Sequence, residues 1–257
     1  MLDDFAADLA TVLTEPIGTE VELHVGLHRP GKLASFAPRT RRGLYVGMQT
    51  EHMLDVTGRP MWKRHLLETI QQQAASFDLV LDLSEGNRPI YEDLPAEVRS
   101  RIHFGPHIFP ASAPPIAMAA DGPTLFFGGT NRHRMRNLQR LRQDGVKVHE
   151  VPTNTFGAAL RAEMTKASSV LNLHFAEGIY TEAPRILKAM LAGLPVLSEQ
   201  PAAPFVADLH YLSVPQANKA TKERLAEIFA NMCCLLSTEF SLLGFLRRVA
   251  MDQVVSK

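Results

Sequence analysis

The sequence contains few cysteines, no long apolar segment and no excess of charge of either sign. Its only cysteines, Cys233 and Cys234, are adjacent, so they suit neither an ordinary disulfide nor a zinc site. This pattern favours a reducing, cytoplasmic setting. No run of about 18 apolar residues occurs, and the acidic, amphipathic start MLDDFAADLATVL lacks the basic and apolar regions of a signal peptide. We therefore expect neither a membrane span nor a secretory leader.

The charge balance excludes one class of partner. Basic and acidic side chains number 27 each, which argues against a broad nucleic-acid-binding surface but leaves room for a local basic pocket. Hydrophobic residues make up 46% of the chain, as is typical of a folded enzyme or binding protein rather than a disordered one.

Apolar runs typical of strands alternate with segments of helical periodicity. The predicted strands are 20–27, 43–48, 78–84, 101–105, 124–129, 146–151, 169–174, 195–199 and 211–214. The predicted helices are 61–77, 131–145, 156–167, 181–193, 219–236 and 238–254. This alternation predicts an α/β fold with parallel, doubly wound sheets. Five prolines between Gly105 and Pro123 exclude a helix or central strand there and mark a domain linker. We predict domains at 1–115 and 116–257, with the terminal helices crossing back.

The segment FFGGTNRHRMR (Phe126–Arg136) predicts an anion site. A strand ends at Gly128 and Gly129, where the absence of side chains lets a ligand approach the backbone, and a helix begins near Asn131 with free N–H groups. Three arginines crowd the start of this helix: Arg132, Arg134 and Arg136. Positive charge there opposes the helix dipole, which makes sense if a phosphate binds in front of it. A solvated basic helix face is the alternative, and the segment matches neither a Walker motif nor GxGxxG.

The segment SVLNLHFAEGIY brings a second group of residues to the carboxyl edge of a sheet, where open α/β sheets bind ligands. His174 ends the predicted strand, and Glu177 and Gly178 follow in the loop. These three residues are candidates for contact with a sugar, and His174 is also a candidate catalytic residue. A hydrogen-bonded structural histidine is the alternative.

The helix that follows carries two charged residues on one face of its first turn. Thr181 is the expected N-cap, and Glu182 and Arg185 are three residues apart. The carboxylate could accept both hydroxyls of a ribose, and the guanidinium fork suits a diphosphate. A simple ion pair between the two residues explains them equally well.

Two polar loops follow strands of the first half. Glu51, His52 and Asp55 end the segment VGMQTEHMLD and are candidates for a base that activates an acceptor hydroxyl, with an ordinary polar loop as the alternative. Ser84, Glu85 and Asn87 follow the strand DLVLDL, where capping of a short helix accounts for them.

In their order and spacing, these segments resemble GT-B glycosyltransferases, in particular the branch of CgeB-type spore-maturation proteins and other bacterial polysaccharide glycosyltransferases. The resemblance runs from about Gly43 to Glu199. Its pieces are GLYVGMQTEHM, FDLVLDLSEGNRPIY, IHFGPHIFP, LFFGGTNRHRMRNLQRLRQDGVKV and SVLNLHFAEGIYTEAPRILKAMLAGLPVLSE.

The resemblance implies two Rossmann-like domains with a cleft between them, the first shortened and binding the acceptor, the second binding a nucleotide diphosphate sugar. It implies that basic side chains and helix dipoles, rather than a metal, stabilise the departing diphosphate, and that the sugar nucleotide is a substrate with no further cofactor. The chain departs from the pattern in two ways. It lacks the usual Gly-rich first strand, and Lys188 stands where many retaining members carry a second Glu.

The sequence therefore predicts a glycosyltransferase of hexosyltransferase type, acting on a hydroxyl of a glycan, a lipid-linked glycan or a protein. Two alternatives stay open: a non-catalytic, GT-B-derived nucleotide-binding or scaffold protein of glycan assembly, and a sugar-nucleotide epimerase. The apolar segment at 240–245 leaves three roles open: packing on the first domain, a homodimer contact, or attachment to the inner face of the membrane.

Overall fold

The computed structural model of the protein describes residues 2–29, 43–55, 57–178 and 180–255. Contacts divide the chain into two compact units. The first unit consists mainly of Leu9–Phe109 and Phe240–Lys257, and the second of Asp3–Asp8 and Pro110–Glu239. Each unit has its own parallel sheet.

The chain begins with helix α1 (Leu2–Val12), and the sheet of the first unit follows. In the described residues this sheet has four parallel strands in the order β1-β2-β3-β4. The strands are β1 (Val21–Val25), β2 (Leu44–Gln49), β3 (Leu79–Asp82) and β4 (Ile102–Phe104). The helices between them are α2 (Arg64–Ala74), a 3₁₀ helix (Glu85–Tyr91) and α3 (Ala96–Arg99).

The sheet of the second unit has five described strands, all parallel, in the order β6-β5-β7-β8-β9. The strands are β5 (Thr124–Phe126), β6 (Val148–Glu150), β7 (Ser169–Asn172), β8 (Val196–Ser198) and β9 (Leu212–Ser213). The helices are α4 (Arg132–Gln143), α5 (Gly157–Met164), α6 (Ala183–Leu191), a 3₁₀ helix (Val214–Lys219) and α7 (Lys222–Glu239). Helix α8 (Leu242–Val255) belongs to the first unit.

The two sheets confirm the prediction of an α/β protein with parallel sheets flanked by helices. Strands β2, β3 and β7 are buried along their whole length, as expected when helices cover both faces of a parallel sheet. Each predicted strand and helix has a counterpart in the structure, with ends that differ by a few residues.

Local sequence determines where the helices beside the second sheet begin and end. The Asn131 side chain accepts a hydrogen bond of 2.9 Å from the Arg134 N–H and so caps α4. Gly193 follows the end of α6 with φ of +70°, and a Cβ there would lie 2.4 Å from the Pro115 carbonyl oxygen. Glycine is therefore required at that turn.

The proline-rich stretch contains no helix or strand between Pro110 and Pro123, as predicted. In the second unit, the Ala117 and Ala119 N–H groups donate to the carbonyls of Gly193 and Ala167, both at 2.8 Å. In the first unit, the Phe109 N–H donates to the Phe240 carbonyl at 3.1 Å and so joins this end of the stretch to the start of α8.

Candidate functional site

Three neighbouring strands of the second unit end side by side. The turn Gly128–Gly129 follows β5, His174 follows β7, and Glu199 follows β8. Because β5, β7 and β8 are adjacent and parallel, their carboxyl ends meet at one edge of the sheet. This edge is the place where open α/β sheets bind ligands.

The glycine turn leaves its backbone accessible. Gly128 has φ of +120°, and a Cβ there would lie 3.1 Å from Nη2 of Arg185. A Cβ on Gly129 would meet nothing within 4 Å among the described atoms. A ligand can therefore approach the backbone at Gly129, close to a guanidinium group.

Arg134 joins the separate segments of this edge. Its side chain, only 6% exposed, donates from Nη1 to the Gly129 carbonyl at 2.7 Å and from Nε to the carbonyls of Leu173 and His174 at 3.1 and 3.2 Å. Nη2 donates to Oε1 of Glu182 at 2.7 Å. The guanidinium thus connects the turn after β5, the end of β7 and the start of α6.

Arg185 reaches the same carboxylate from the other side. Its Nη1 lies 2.6 Å from Oε2 of Glu182 and donates to Asn172 Oδ1 at 2.9 Å and to the Leu173 carbonyl at 3.0 Å. Burial lowers the pKa of Arg185, and Glu182 opposes this shift. Nε is buried without a hydrogen-bond partner, and within the described residues Nη2 has none either.

Glu182 therefore bridges the two buried arginines. The expected N-cap Thr181 is wrong: Glu182 is the N-cap residue of α6, and its side chain makes no capping bond because both carboxylate oxygens face guanidinium groups. The ion pair between Glu182 and Arg185 that the sequence left open does form, and Arg134 adds a second cation to it.

His174 is held in one tautomer. Its ring Nδ1 lies 3.0 Å from the Gly178 carbonyl oxygen, which can only accept, so Nδ1 carries the proton. Burial lowers the pKa of His174, although Glu199 and Glu182 oppose the shift, so the ring is neutral near pH 7. Nε2 is buried with no hydrogen-bond partner in the described part of the chain. His174 consequently holds the Gly178 loop with one nitrogen and leaves a lone pair on the other.

The carboxylate of Glu199 was not identified from the sequence. It accepts from the His174 backbone N–H at 2.7 Å, from Asn137 at 3.1 Å, and lies 2.8 Å from the His133 ring. Asn172, buried at the end of β7, was also missed. The signal that found His174, a polar residue at the end of a predicted strand, applies to Glu199 as well.

The remaining predicted donor residues lie nearer the surface. Glu177 and Arg136 form an exposed ion pair of 3.2 Å. Arg132 is exposed and lines a shallow groove along the outer face of α4, apart from the Glu182 cluster. Gly178 has φ of +150°, and a Cβ there would lie 2.4 Å from the Tyr180 ring, so its glycine serves the loop.

The three predicted base residues belong to the first unit. His52 Nδ1 lies 2.5 Å from Ser84 Oγ, and a Cβ on Gly86 would lie 2.7 Å from the ring. Oδ1 of Asp55 accepts from the Thr57 N–H and hydroxyl at 2.8 and 2.6 Å, and the hydroxyl bond is the main cause of its lowered pKa. The Asp55 carboxylate therefore shapes its own turn, which argues against a role as a base.

Glu51 contributes its backbone carbonyl, which accepts from Gln49 Nε2 and Asn87 Nδ2, both at 2.9 Å. The bond from Asn87 ties the segment after β3 to the segment after β2.

A buried polar cluster lies beside these residues and was not predicted. Asp82, fully buried at the end of β3, accepts from Tyr91 Oη at 2.7 Å, from Asn87 Nδ2 at 3.0 Å and from the Ser84 N–H at 2.9 Å. Burial outweighs these three donors and raises the pKa of Asp82 to about 7. Ser84 is the N-cap residue of the 3₁₀ helix, as expected, but its side chain makes no capping bond. Asn87 binds Asp82 and the Met53 N–H instead of capping the helix.

Two further observations concern metals and membranes. Among the described residues, no group of three or more His, Cys, Asp or Glu side chains is arranged to hold a metal ion. In the same part of the chain, no helix has both the length and the apolar character needed to cross a bilayer.

The fold is shared with solved structures of larger proteins. The crystal structure of TarM matches with a TM-score of 0.57 at 12% identity, over 96% of this chain and 57% of TarM. A TarM variant from S. aureus, in complex with Fondaparinux, alpha-GlcNAc-glycerol and UDP, matches with a TM-score of 0.50 at 13% identity, over 81% of this chain and 50% of its own. The crystal structure of accessory secretory protein 1, 2 and 3 of Streptococcus pneumoniae matches with a TM-score of 0.53 at 10% identity, over 96% of this chain and 56% of its own.

The chain spans about half the length of these solved structures. At such identities the similarity concerns the fold, which is that of two Rossmann-like domains of GT-B type. No protein-family model and no curated protein matches the sequence. The CgeB-type branch therefore stays a prediction.

Proposed function

We propose that the protein is a GT-B glycosyltransferase that moves a hexose-type sugar from a nucleotide diphosphate donor to a hydroxyl group. The observation that carries the proposal is Arg185: its Nε is buried without a hydrogen-bond partner, its Nη2 has no partner among the described residues, and an open glycine turn lies beside it. Buried, unpaired donors are costly in a folded protein unless a ligand uses them. A phosphate oxygen is the acceptor that suits a guanidinium fork.

The geometry of the second unit supports a role for each donor-site residue. Arg185 and the turn Gly128–Gly129 bind the diphosphate, aided by the N-terminal ends of α4 and α6. Arg134 holds the surrounding segments in place. Glu182 accepts hydrogen bonds from the hydroxyls of the ribose, and the Nε2 lone pair of His174 accepts a hydrogen bond from a hydroxyl of the sugar.

The leaving diphosphate needs positive charge as the bond to the sugar breaks. Buried guanidinium groups and helix N-termini supply that charge without movement of solvent. We therefore propose a metal-independent reaction in which the sugar nucleotide is a substrate and no further cofactor takes part.

On the acceptor side we favour His52 over its neighbours. Oδ1 of Asp55 is committed to the Thr57 turn, whereas the His52 ring has a defined partner in Ser84, and histidine is the side chain that most often serves as a general base. The acceptor is a glycan, a lipid-linked glycan or a protein. We place the reaction in the cytoplasm, at the inner face of the membrane if the acceptor is lipid-linked. The apolar segment at 240–245 packs within the first unit, where Leu242, Leu243 and Phe245 are buried and the Phe245 ring stacks on His107, so we do not assign it to a homodimer.

The similarity in fold to a TarM variant solved with UDP supports the choice of a nucleotide diphosphate as the first ligand to test. We would titrate the protein with a panel of nucleoside diphosphates and sugar nucleotides and follow its thermal unfolding. A ligand at 100 times its dissociation constant should stabilise the protein by about 2.7 kcal/mol.

The variant Arg185→Ala should lose this stabilisation, because a charge-assisted hydrogen bond contributes about 1.5–3 kcal/mol. Arg142→Ala is the matched control, since Arg142 lies on the exposed face of α4 and pairs with Glu150. Equal affinity of both variants for every nucleoside diphosphate would refute the donor-site assignment.

A second candidate, a non-catalytic scaffold of the same fold, is favoured by Glu182. Its carboxylate already compensates the charge of Arg134 and Arg185 without any ligand. A protein that binds a nucleoside diphosphate but never releases sugar from any sugar nucleotide, with or without acceptors, would be of this kind.

A further inference from the structure

Glu182 occupies the position of an anion at the arginine pair. Its Oε1 lies 2.7 Å from Nη2 of Arg134 and its Oε2 lies 2.6 Å from Nη1 of Arg185. A phosphate group accepts hydrogen bonds from guanidinium groups through the same kind of paired oxygens. The carboxylate is thus an internal counter-ion at a place where the proposed diphosphate would need to bind.

The two arginines differ in how their donors are used. Arg134 donates from Nε and Nη1 to backbone carbonyls of three residues, which leaves Nη2 for Glu182. These carbonyls belong to the loops that form the site, so Arg134 is held in place by the fold itself.

Arg185 has hydrogen-bond donors that no described residue uses. Nη1 has two hydrogens but three oxygen neighbours, and the hydrogen bonds to Asn172 and the Leu173 carbonyl persist without Glu182. Nη2 would lie 3.1 Å from a Cβ at Gly128, so it faces the glycine turn. Arg185 can therefore lose the carboxylate, stay in position and present Nη2 at the turn.

The Glu182 side chain can leave the arginines. It is 23% exposed, against 6% for Arg134 and 8% for Arg185, so one side of it already contacts solvent. Glu182 is the N-cap residue of α6 and makes no side-chain capping bond, so a rotation about its side-chain torsions breaks no helix contact. A second carboxylate, Glu199, lies close by, and two carboxylates beside a diphosphate would repel it.

We propose that Glu182 is an exchangeable internal anion: its carboxylate leaves Arg185 when a phosphoryl group binds at the Gly128–Gly129 turn. The released carboxylate is then available to the ribose. The inference rests on the proposed function, because it specifies how the diphosphate enters the donor site. It makes Glu182 a competitor of the phosphoryl group as well as a contact of the nucleoside.

The competition can be isolated with inorganic pyrophosphate, which has no ribose. Glu182→Gln removes the charge of the competitor, so we expect pyrophosphate to bind about tenfold more tightly. This factor corresponds to an original protein in which the Glu182 carboxylate has left Arg185 in about one tenth of the molecules. Glu199→Gln is the matched control, because it removes a nearby charge that does not contact either arginine. We expect it to increase the affinity for pyrophosphate by less than about threefold. Both affinities are measured by calorimetry.

A second variant keeps the proposal testable if Glu182→Gln fails to fold. In Glu182→Asp the shorter side chain cannot reach both arginines, so this protein should also bind pyrophosphate more tightly, although less so than Glu182→Gln. The far-ultraviolet circular dichroism and melting temperature of each variant establish that it is folded before titration.

The outcomes separate this inference from the proposed function. If the original protein binds nucleoside diphosphates but Glu182→Gln and Glu182→Asp bind pyrophosphate no more tightly, the exchange is refuted and the donor site stands. If neither the original protein nor the variants bind pyrophosphate or any nucleoside diphosphate, the proposed function fails and the exchange fails with it. Tighter pyrophosphate binding by both variants, with a smaller gain for the nucleoside diphosphate, supports the exchange.

Discussion

Glu182 and Arg185 form an ion pair of 2.6 Å within the first turn of α6, at the carboxyl edge of the second sheet. A pair three residues apart on an exposed helix surface would contribute about 0.2–0.5 kcal/mol. Here the arginine is buried and the carboxylate serves a second arginine, so neither residue can be removed without leaving charge uncompensated. The pair is thus part of the architecture of the site as well as a candidate for ligand binding.

Gly129→Ala should separate folding from binding. A methyl group there meets no described atom within 4 Å, and the backbone does not require glycine, so the free energy of unfolding should change by less than about 0.5 kcal/mol. The same methyl group would stand where the phosphoryl group approaches, so affinity for nucleoside diphosphates should fall by about tenfold or more.

Gly122→Ala provides the opposite pattern. A Cβ there would lie 2.3 Å from the Lys166 carbonyl oxygen, which is backbone and cannot move aside, so this variant should lose stability. Chemical denaturation and calorimetric titration of both variants check the prediction, and an unchanged affinity in Gly129→Ala would contradict it.

Lys188→Ala should destabilise the protein without weakening nucleotide binding. Its ammonium group is bonded to Asp4 at 2.6 Å and to Asp8, both on α1, and all three side chains are at most 15% exposed. Removing the lysine leaves two largely buried carboxylates without their cation, which should cost about 3 kcal/mol in urea denaturation.

The control is Lys166→Ala, whose side chain is 65% exposed and pairs with Glu163, and which should cost less than about 1 kcal/mol. Lys188 binds α1 rather than the Glu182 cluster, so a marked loss of nucleoside diphosphate affinity in Lys188→Ala would be the unexpected result.

The contribution of Asp82 to the free energy of unfolding should decrease as pH rises. Burial raises its pKa to about 7 in the folded protein, whereas an unfolded Asp has a pKa of about 4. The folded state therefore holds this proton more tightly, and between about pH 4 and pH 7 the contribution of Asp82 decreases by up to about 4 kcal/mol.

The measurement compares urea denaturation of the original protein and Asp82→Asn from pH 5 to pH 8. The amide that this substitution introduces is neutral at every pH, so the difference in stability between the two proteins should change across this range in favour of the variant at high pH. Parallel curves would show that Asp82 is ionised throughout. Groups such as His28, whose pKa burial lowers, are common to both proteins and cancel in the difference.

His174 should be a neutral Nδ1–H tautomer at pH 7. The Gly178 carbonyl fixes the proton on Nδ1, and burial lowers the pKa of the ring below that of an unfolded histidine. Long-range ¹H–¹⁵N correlation spectra should show Nε2 with the shift of an unprotonated nitrogen. His149, which pairs with Glu163 on the exposed surface, serves as an internal comparison.

The pH dependence of His174 has the opposite sign to that of Asp82. Because the unfolded chain binds this proton more tightly, the contribution of His174 to stability is present above the unfolded pKa of about 6.5 and is lost as pH falls below it. A His174 ring that titrates above pH 6.5 in the folded protein would contradict this assignment.

Much of the second unit could be predicted from local sequence. Apolar runs predicted the strands, and Asn131 and Gly193 marked a helix start and a helix end because caps and left-handed turns depend on a few neighbouring residues. The strand ends also predicted that Gly128 and His174 lie at one edge, since parallel strands share a direction.

Other parts of the site could not be derived in that way. Nothing local distinguishes Arg134, which is buried among backbone carbonyls, from Arg132, which is exposed two residues earlier. The partners of Lys188 lie near the start of the sequence, with Asp8 180 residues away, so only the packing of α1 reveals them. In the sequence Asp82 is an ordinary residue of a predicted strand, and only its burial in the folded protein shows that its pKa is raised.

The sequence by itself thus determined the α/β class, the positions of the elements and the strand ends that carry the candidate site, because periodicity and turn chemistry are encoded within short segments. Only the tertiary structure decided which charges are paired, since burial and the distance between side chains from different elements set the energy of each ion. That distinction matters most at Glu182, for which the sequence left open a ribose contact or an ion pair with Arg185, and which is, in the folded chain, the counter-ion of two buried arginines.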